Sequence, residues 1–176
     1  MNYKVVPFLP QERIQQIVRN LGREITSEFK DSEKIVAVGV LRGCVIFLAD
    51  LVRQIKLPVE IDFVEVSSYG NSMESSREVK ILKDISGEIE GLDVLVVEDI
   101  IDTGHTMVFV QNLLQSRKPK RLKVATLLDK PSRREVEVKA DFTGFEIPDE
   151  FVVGYGIDYA QQNRNLPYIG KVSLDG

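Results

Sequence analysis

Apolar positions in this chain switch between two periods. Ile14, Ile17, Val18, Leu21, Ile25 and Phe29 recur at helical spacing and line one face of a helix over about 11–30. The run "IVAVGV" (35–40) has no polar position and suits a strand buried on both faces. "CVIFLADLVRQI" (44–55) reads as a crossover helix and "VEIDFVEV" (59–66) as the next strand. "SSYGNSMESSRE" (67–78) is polar and contains Gly70, which predicts a long exposed loop. Strands are expected at "EVKIL" (78–82), "DVLVVED" (93–99), "RLKVATLLD" (121–129) and "FVVGY" (151–155). A helix over 105–117 is stopped before Pro119. Strand–helix–strand alternation of this kind predicts an α/β domain with a mostly parallel sheet. In such sheets ligands sit beyond the carboxyl ends of the strands.

Composition narrows the class. The 176 residues suit a single domain, and 43% hydrophobic with 28% charged content is that of an ordinary globular protein. A net charge of −4 argues against a general nucleic-acid binder. The single cysteine, Cys44, allows no internal disulfide and sits in an apolar run, where it reads as a small buried hydrophobe. The start "MNYKVVPFLPQER" lacks a long apolar core, and no apolar run reaches the ~18 residues of a membrane span. A cytoplasmic protein without membrane association is the expectation.

The candidate chemistry lies in "VLVVEDIIDTGHTM" (94–107). An apolar strand runs into Glu98 and Asp99, then after two isoleucines into Asp102. Three acids within five residues repel one another, so a cation or a set of hydroxyls should meet them; Mg²⁺ or a sugar diol would serve. The residues that follow suit an anion. Gly104 permits positive φ or close approach of the backbone, Thr103 and Thr106 offer hydroxyls, and a helix beginning there presents free N–H groups. The plainer alternative is a strand-to-helix turn with surface acids. Neither of the common glycine-rich phosphate loops is present.

An apolar strand, two acids, two apolar residues and D-T-G-x-T together resemble the signature of the type I phosphoribosyltransferases. The resemblance runs from about residue 10 to 172 and is closest to the bacterial, hypoxanthine-using members. It implies the type I phosphoribosyltransferase fold: a mostly parallel central sheet flanked by helices, one domain over 1–176, and a small hood built mainly from about 1–10 and 130–176. It implies that Asp102, Thr103, Gly104, His105 and Thr106 hold the 5′-phosphate of phosphoribosyl pyrophosphate. Glu98 and Asp99 would meet the ribose hydroxyls and the metal, and Asp102 would be the general acid/base. His105 fills the variable position of the motif, so it is given a backbone role and no chemistry.

Further segments carry the likeness. "LRGC" (41–44) matches the pyrophosphate loop, which implies roles for Arg42 and Gly43 and a cis peptide between Leu41 and Arg42. The 67–84 segment is similar to the mobile catalytic loop, with Ser68 and Tyr69 closing over pyrophosphate. Lys130, after a strand, matches the lysine that selects a 6-oxo over a 6-amino purine. "IPDEFVVGYGIDYAQQNRNLPYIG" (147–170) resembles the purine pocket over its whole length. There Phe151 would stack on the base, Val152 would face its edge, Asp158 would lie near a second metal and the base, and Arg164 would hold pyrophosphate.

The implied reaction converts hypoxanthine, and guanine more weakly, with phosphoribosyl pyrophosphate and Mg²⁺ to the nucleoside monophosphate and pyrophosphate. The metal set would be Glu98, Asp99 and Asp158. The resemblance also implies a homodimer or homotetramer, with small molecules and no nucleic acid as partners. Two rivals stand beside it. One is a regulator of the same fold that senses phosphoribosyl pyrophosphate, disfavoured by the acidic charge. The other is a xanthine-preferring or pyrimidine-using relative; the Lys130 and Phe151 segments argue against a pyrimidine site.

Overall fold

A computed structural model describes residues 3–69 and 78–174. In chain order its elements are β1 (Tyr3–Leu9), α1 (Gln11–Glu28), β2 (Ile35–Leu41), α2 (Val45–Val52), β3 (Val59–Tyr69) and β4 (Glu78–Lys83). There follow β5 (Asp93–Ile101), α3 (His105–Gln115), β6 (Arg121–Asp129), β7 (Phe142–Glu146), β8 (Val152–Val153) and β9 (Ile169–Leu174).

Six strands form the central sheet in the order β4-β3-β2-β5-β6-β7, parallel except for the β3/β4 hairpin. Its middle strands are apolar on both faces because both faces are covered. Ile35, Ala37, Leu95 and Val97 pack with the stripe of α1 and with Phe47, Leu48 and Leu51 of α2. Val36, Val38, Val40, Val94 and Val96 pack against Met107, Val110 and Leu114 of α3. From β2 the chain winds outward through β3, then returns to β5 and winds the other way through β6 and β7. β2 and β5 are therefore neighbours at the point of reversal, where the connections beyond their carboxyl ends diverge and open a crevice. The segments at that crevice are Leu41–Cys44 and the turn after Ile101.

β1, β9 and β8 form a separate antiparallel sheet, with Tyr3 opposite Leu174 and Val152 opposite Lys171. Two expectations change here. Only Val152 and Val153 of the 151–155 run are strand, and they join this second sheet rather than the central one, because the chain turns at Gly154 with φ +104°. Ser67–Tyr69 extend β3 instead of opening a loop, paired through Ser67 to Lys80 and Ser68 to Val79. Residues 70–77 of the expected mobile loop lie outside the described residues.

At the opposite end of the sheet from the crevice, Asp93 is buried and bound on several sides. Its carboxylate accepts from Arg121 Nε at 2.7 Å and from Ser32 Oγ at 2.6 Å. Arg121 also donates to the Glu28 carbonyl at 3.1 Å and stacks 4.9 Å over the Phe29 ring, so it joins α1 to the starts of β5 and β6. The Arg121 hydrogen bonds, with help from Ser32, hold the Asp93 carboxyl below the usual range against the upward push of burial. A depressed carboxyl contributes stability that is full above its unfolded value near 4 and is lost as pH falls through the lower folded value. Asp93→Asn is expected to cost about 2 kcal/mol at neutral pH. It should also lose less further stability than the parent between pH 7 and pH 3, as urea unfolding followed by circular dichroism would report.

Candidate active site

The crevice between β2 and β5 holds a cavity of about 250 Å³ whose lining includes Leu41, Gly43, Glu98, Asp99, Asp102, Thr103, Gly104 and Thr106. The turn after β5 and the loop after β2 thus share one space.

Glu98 and Asp99, at 7% and 8% exposure, are buried carboxylates on adjacent residues of β5. Burial, with the neighbouring charge of Asp99, raises the Glu98 carboxyl well above its usual range. Burial also raises Asp99, although its bond with Glu98, nearby backbone N–H groups and Arg164 pull the other way. An acid pair in this condition takes up a proton or a cation. Its hard oxygens are a donor set for a divalent ion such as Mg²⁺. Asp158 stands apart from that pair in its contacts: it accepts from Arg164 Nη2 at 2.9 Å and from the Gln161 N–H at 2.7 Å. Among the described residues no group of three or more acids, histidines and cysteines is arranged to hold a metal.

The turn at 102–106 has the features of an anion cradle. Gly104 caps α3 in the left-handed region, φ +95° and ψ −13°. The helix closes first with Val108 N–H to the Gly104 carbonyl at 3.0 Å, so the amides before it precede the intrahelical bonding. The segment after β6 folds back over this turn. A Cβ at Gly104 would lie 2.6 Å from Val138 Cγ1. The Thr103 carbonyl accepts from the Glu135 N–H at 3.0 Å. His105 Nε2 lies 2.9 Å from Glu135 Oε2, so the ring faces that segment.

Two residues that sequence reasoning passed over grip Asp102. Arg133 Nε donates to its carboxylate at 3.3 Å, and Arg134 Nη1 donates to its backbone carbonyl at 2.5 Å. Arg134 also holds Asp129 at the end of β6. Their one sequence signal was a pair of arginines three residues beyond Lys130, which reads as solvated surface.

On the β2 side the Leu41–Arg42 peptide is cis. Arg42 is exposed and donates to Glu65 at 3.2 Å. Gly43 lies directly against the acids, since a Cβ there would stand 2.0 Å from Asp99 Oδ2. Cys44 beneath it is fully buried; burial and the two acids push its thiol up, so it stays a neutral packing group. The purine-side residues lie outside the cavity lining. Lys130 is only 6% exposed, and among the described residues no hydrogen bond or ion pair holds its ammonium. Its backbone N–H ties it to the Ile101 carbonyl at 2.9 Å, beside the acid turn. Phe151 is half exposed, edge-on to Tyr159 at 5.2 Å, while the Val152 side chain is buried in the core. Ser68 and Tyr69 end β3.

Comparison with known proteins bears on this geometry. The model of the phosphoribosyl transferase domain matches residues 8–160. A hypoxanthine phosphoribosyltransferase of Salmonella typhimurium is 55% identical over 175 residues, 99% of this chain and 98% of the relative. A hypoxanthine-guanine phosphoribosyltransferase of Bacillus subtilis is 54% identical, covering 93% of this chain and 90% of its own. The crystal structure of a hypoxanthine-guanine phosphoribosyltransferase from Bacillus anthracis superposes with a TM-score of 0.91 at 47% identity, covering 98% of this chain and all of that one.

Proposed function

The chain belongs to the phosphoribosyl transferase family, and from that premise we propose that it joins hypoxanthine, and guanine more weakly, to phosphoribosyl pyrophosphate. The products are the nucleoside monophosphate and pyrophosphate, a purine-salvage reaction. One observation carries the reading: a single cavity is lined by Gly43, the acid pair, Asp102 and the left-handed turn at the start of α3.

In this reading the turn at 103–106 takes the 5′-phosphate on backbone N–H groups and the positive end of α3. Asp102 opens that turn, so the fixed phosphate sets its distance from the incoming base, where it holds the proton at purine ring nitrogen 7. Glu98 and Asp99 meet the ribose hydroxyls and hold Mg²⁺, as their burial and raised affinity for a positive charge support. The ion, when bound, neutralises charge on the pyrophosphate. Arg42, Gly43 and Arg164 receive that pyrophosphate. Lys130, whose ammonium has no hydrogen bond or ion pair among the described residues, donates to the 6-oxo group. Phe151, half exposed, stacks on the ring, and the backbone of Val152 faces its edge. Asp158 orients Arg164, and Ser68 and Tyr69 lead into the segment that covers the site.

Among the described residues no helix is long and apolar enough to cross a membrane. The single cysteine, which allows no internal disulfide, supports a cytoplasmic setting. Assembly as a homodimer or homotetramer is supported by the exposed apolar residues Val45, Ile61, Ile81 and Leu82.

The test is pyrophosphate release with phosphoribosyl pyrophosphate, Mg²⁺ and each of hypoxanthine, guanine, xanthine and adenine. The expected order is hypoxanthine, then guanine, with adenine inert. Tight phosphoribosyl pyrophosphate binding without turnover of any base would favour a sensor instead, and preference for xanthine would move the specificity assignment.

A further inference from the structure

Behind the pyrophosphate side of the site lies a turn that the chemistry described so far leaves unused. Gly154, Tyr155 and Gly156 have φ values of +104°, +51° and +102°, three successive residues in the left-handed half of backbone space. The two glycines take this conformation freely, but a tyrosine does so against its preference and needs surrounding contacts to hold it. Those contacts are visible. Tyr155 is 5% exposed, its hydroxyl donates to the carboxylate of Asp50 in α2, and its N–H donates to the Leu166 carbonyl at 2.9 Å.

What this turn touches gives it significance. A Cβ on Gly156 would lie 2.1 Å from the carbonyl oxygen of Gly43, so the turn rests directly on the loop after β2. On its other side the same Gly43 abuts the Asp99 carboxylate. The Gly156 carbonyl accepts from Arg164 Nη1 at 2.8 Å, and its N–H donates to the Arg164 carbonyl at 2.9 Å. Asp99, Gly43, Gly156 and Arg164 therefore form one stack with no slack in it. Tyr155, through Asp50, fastens this stack to α2 by a hydrogen bond.

We propose that Tyr155 and Asp50 are a positioning pair for the pyrophosphate end of the site: their hydrogen bond keeps the 154–156 turn against Gly43 and holds Arg164 in place. Neither side chain lines the site cavity. The inference rests on the reading of Arg42, Gly43 and Arg164 as the pyrophosphate-binding residues, and it adds the device that sets their spacing. Loosening the pair withdraws the backing of the loop at the leaving-group end. The phosphate turn and Lys130 hang on β5 and β6 and do not depend on it.

The test compares Tyr155→Phe, Asp50→Ala, the double variant and Asp50→Asn, with KM measured separately for phosphoribosyl pyrophosphate and hypoxanthine. Tyr155→Phe and Asp50→Ala should each raise the former about tenfold, the scale of one lost hydrogen bond to a charged group. The hypoxanthine KM should stay within about twofold, and the double variant should be no worse than Asp50→Ala, since both singles remove the same Tyr155–Asp50 bond and the second Asp50 contact, with the exposed Arg53, is a surface pair of little energy. Asp50→Asn keeps an acceptor for the hydroxyl and should restore the parent's KM. Should Asp50→Ala fail to fold, Tyr155→Phe against Asp50→Asn carries the comparison. A lower melting temperature with unchanged KM values overturns the proposal, as does an equal rise in both. Gly43→Ala serves as the separate check: an unchanged KM for phosphoribosyl pyrophosphate there removes the pyrophosphate loop itself, and the proposal with it.

Discussion

Replacing Asp102 by Asn is expected to lower turnover by about 10²–10⁴-fold, the usual contribution of a positioned acid/base, while nucleotide affinity moves little. The contacts of Asp102 explain the asymmetry. Its side chain is 42% exposed at the cavity, one carboxylate oxygen accepts from Arg133 at 3.3 Å, and its carbonyl accepts from Arg134 at 2.5 Å. Asparagine keeps an oxygen for Arg133 and the same carbonyl for Arg134. The turn stays gripped and the phosphate cradle stays formed. What is lost is the ability to carry a proton. The check is to measure kcat and the dissociation constant of the nucleoside monophosphate on the same preparation. Comparable losses in both would assign Asp102 to binding instead.

The second large effect concerns the choice of base. Lys130→Met is expected to reduce kcat/KM for hypoxanthine about 100-fold, the cost of a lost charge-assisted hydrogen bond that leaves the purine oxygen unpaired. KM for phosphoribosyl pyrophosphate should hold, because Lys130 is tied to β5 through its backbone N–H, which the substitution keeps. Methionine fills a similar volume, so the buried position is not emptied. Adenine should gain relative to hypoxanthine, since its amino group no longer faces an ammonium. A uniform fall for every base would show that Lys130 supports packing alone. Steady-state kinetics with paired bases decides between them.

The parts of this molecule legible in the sequence are those in which a short range of residues decides the structure. The all-apolar runs of β2 and β5 could be buried only between two layers, and helices on both faces supply them. The turn at 102–106 was legible because acids, small residues and a helix start fall within a few positions. The second sheet was not legible in any local pattern; only the family resemblance implied a hood built from the chain ends. β1 reads as an ordinary N-terminal stretch, and its partner β9 lies far along the chain at Ile169–Leu174. No local period reports such a pairing. The 151–155 run was apolar enough for a full strand, yet its positive-φ glycine ends it after two residues. Ser67–Tyr69 erred the other way: polar side chains suggested a loop, while backbone pairing with β4 extends the strand. Arg133 and Arg134 were invisible for a further reason. Their role depends on the chain folding back over Thr103 and Gly104, which composition does not encode.

The pairing of Tyr3 with Leu174 also orders events in time. A ribosome makes β1 first and β9 only after every strand of the six-stranded sheet has been made. Through that interval β1 lacks its β9 partner, while β5, which carries Glu98 and Asp99, already has β2 and β6 beside it. The strands behind Glu98, Asp99 and Asp102 can therefore pair before β1 meets β9, and that later step closes a loop that spans nearly the whole chain, the kind of contact that forms slowly.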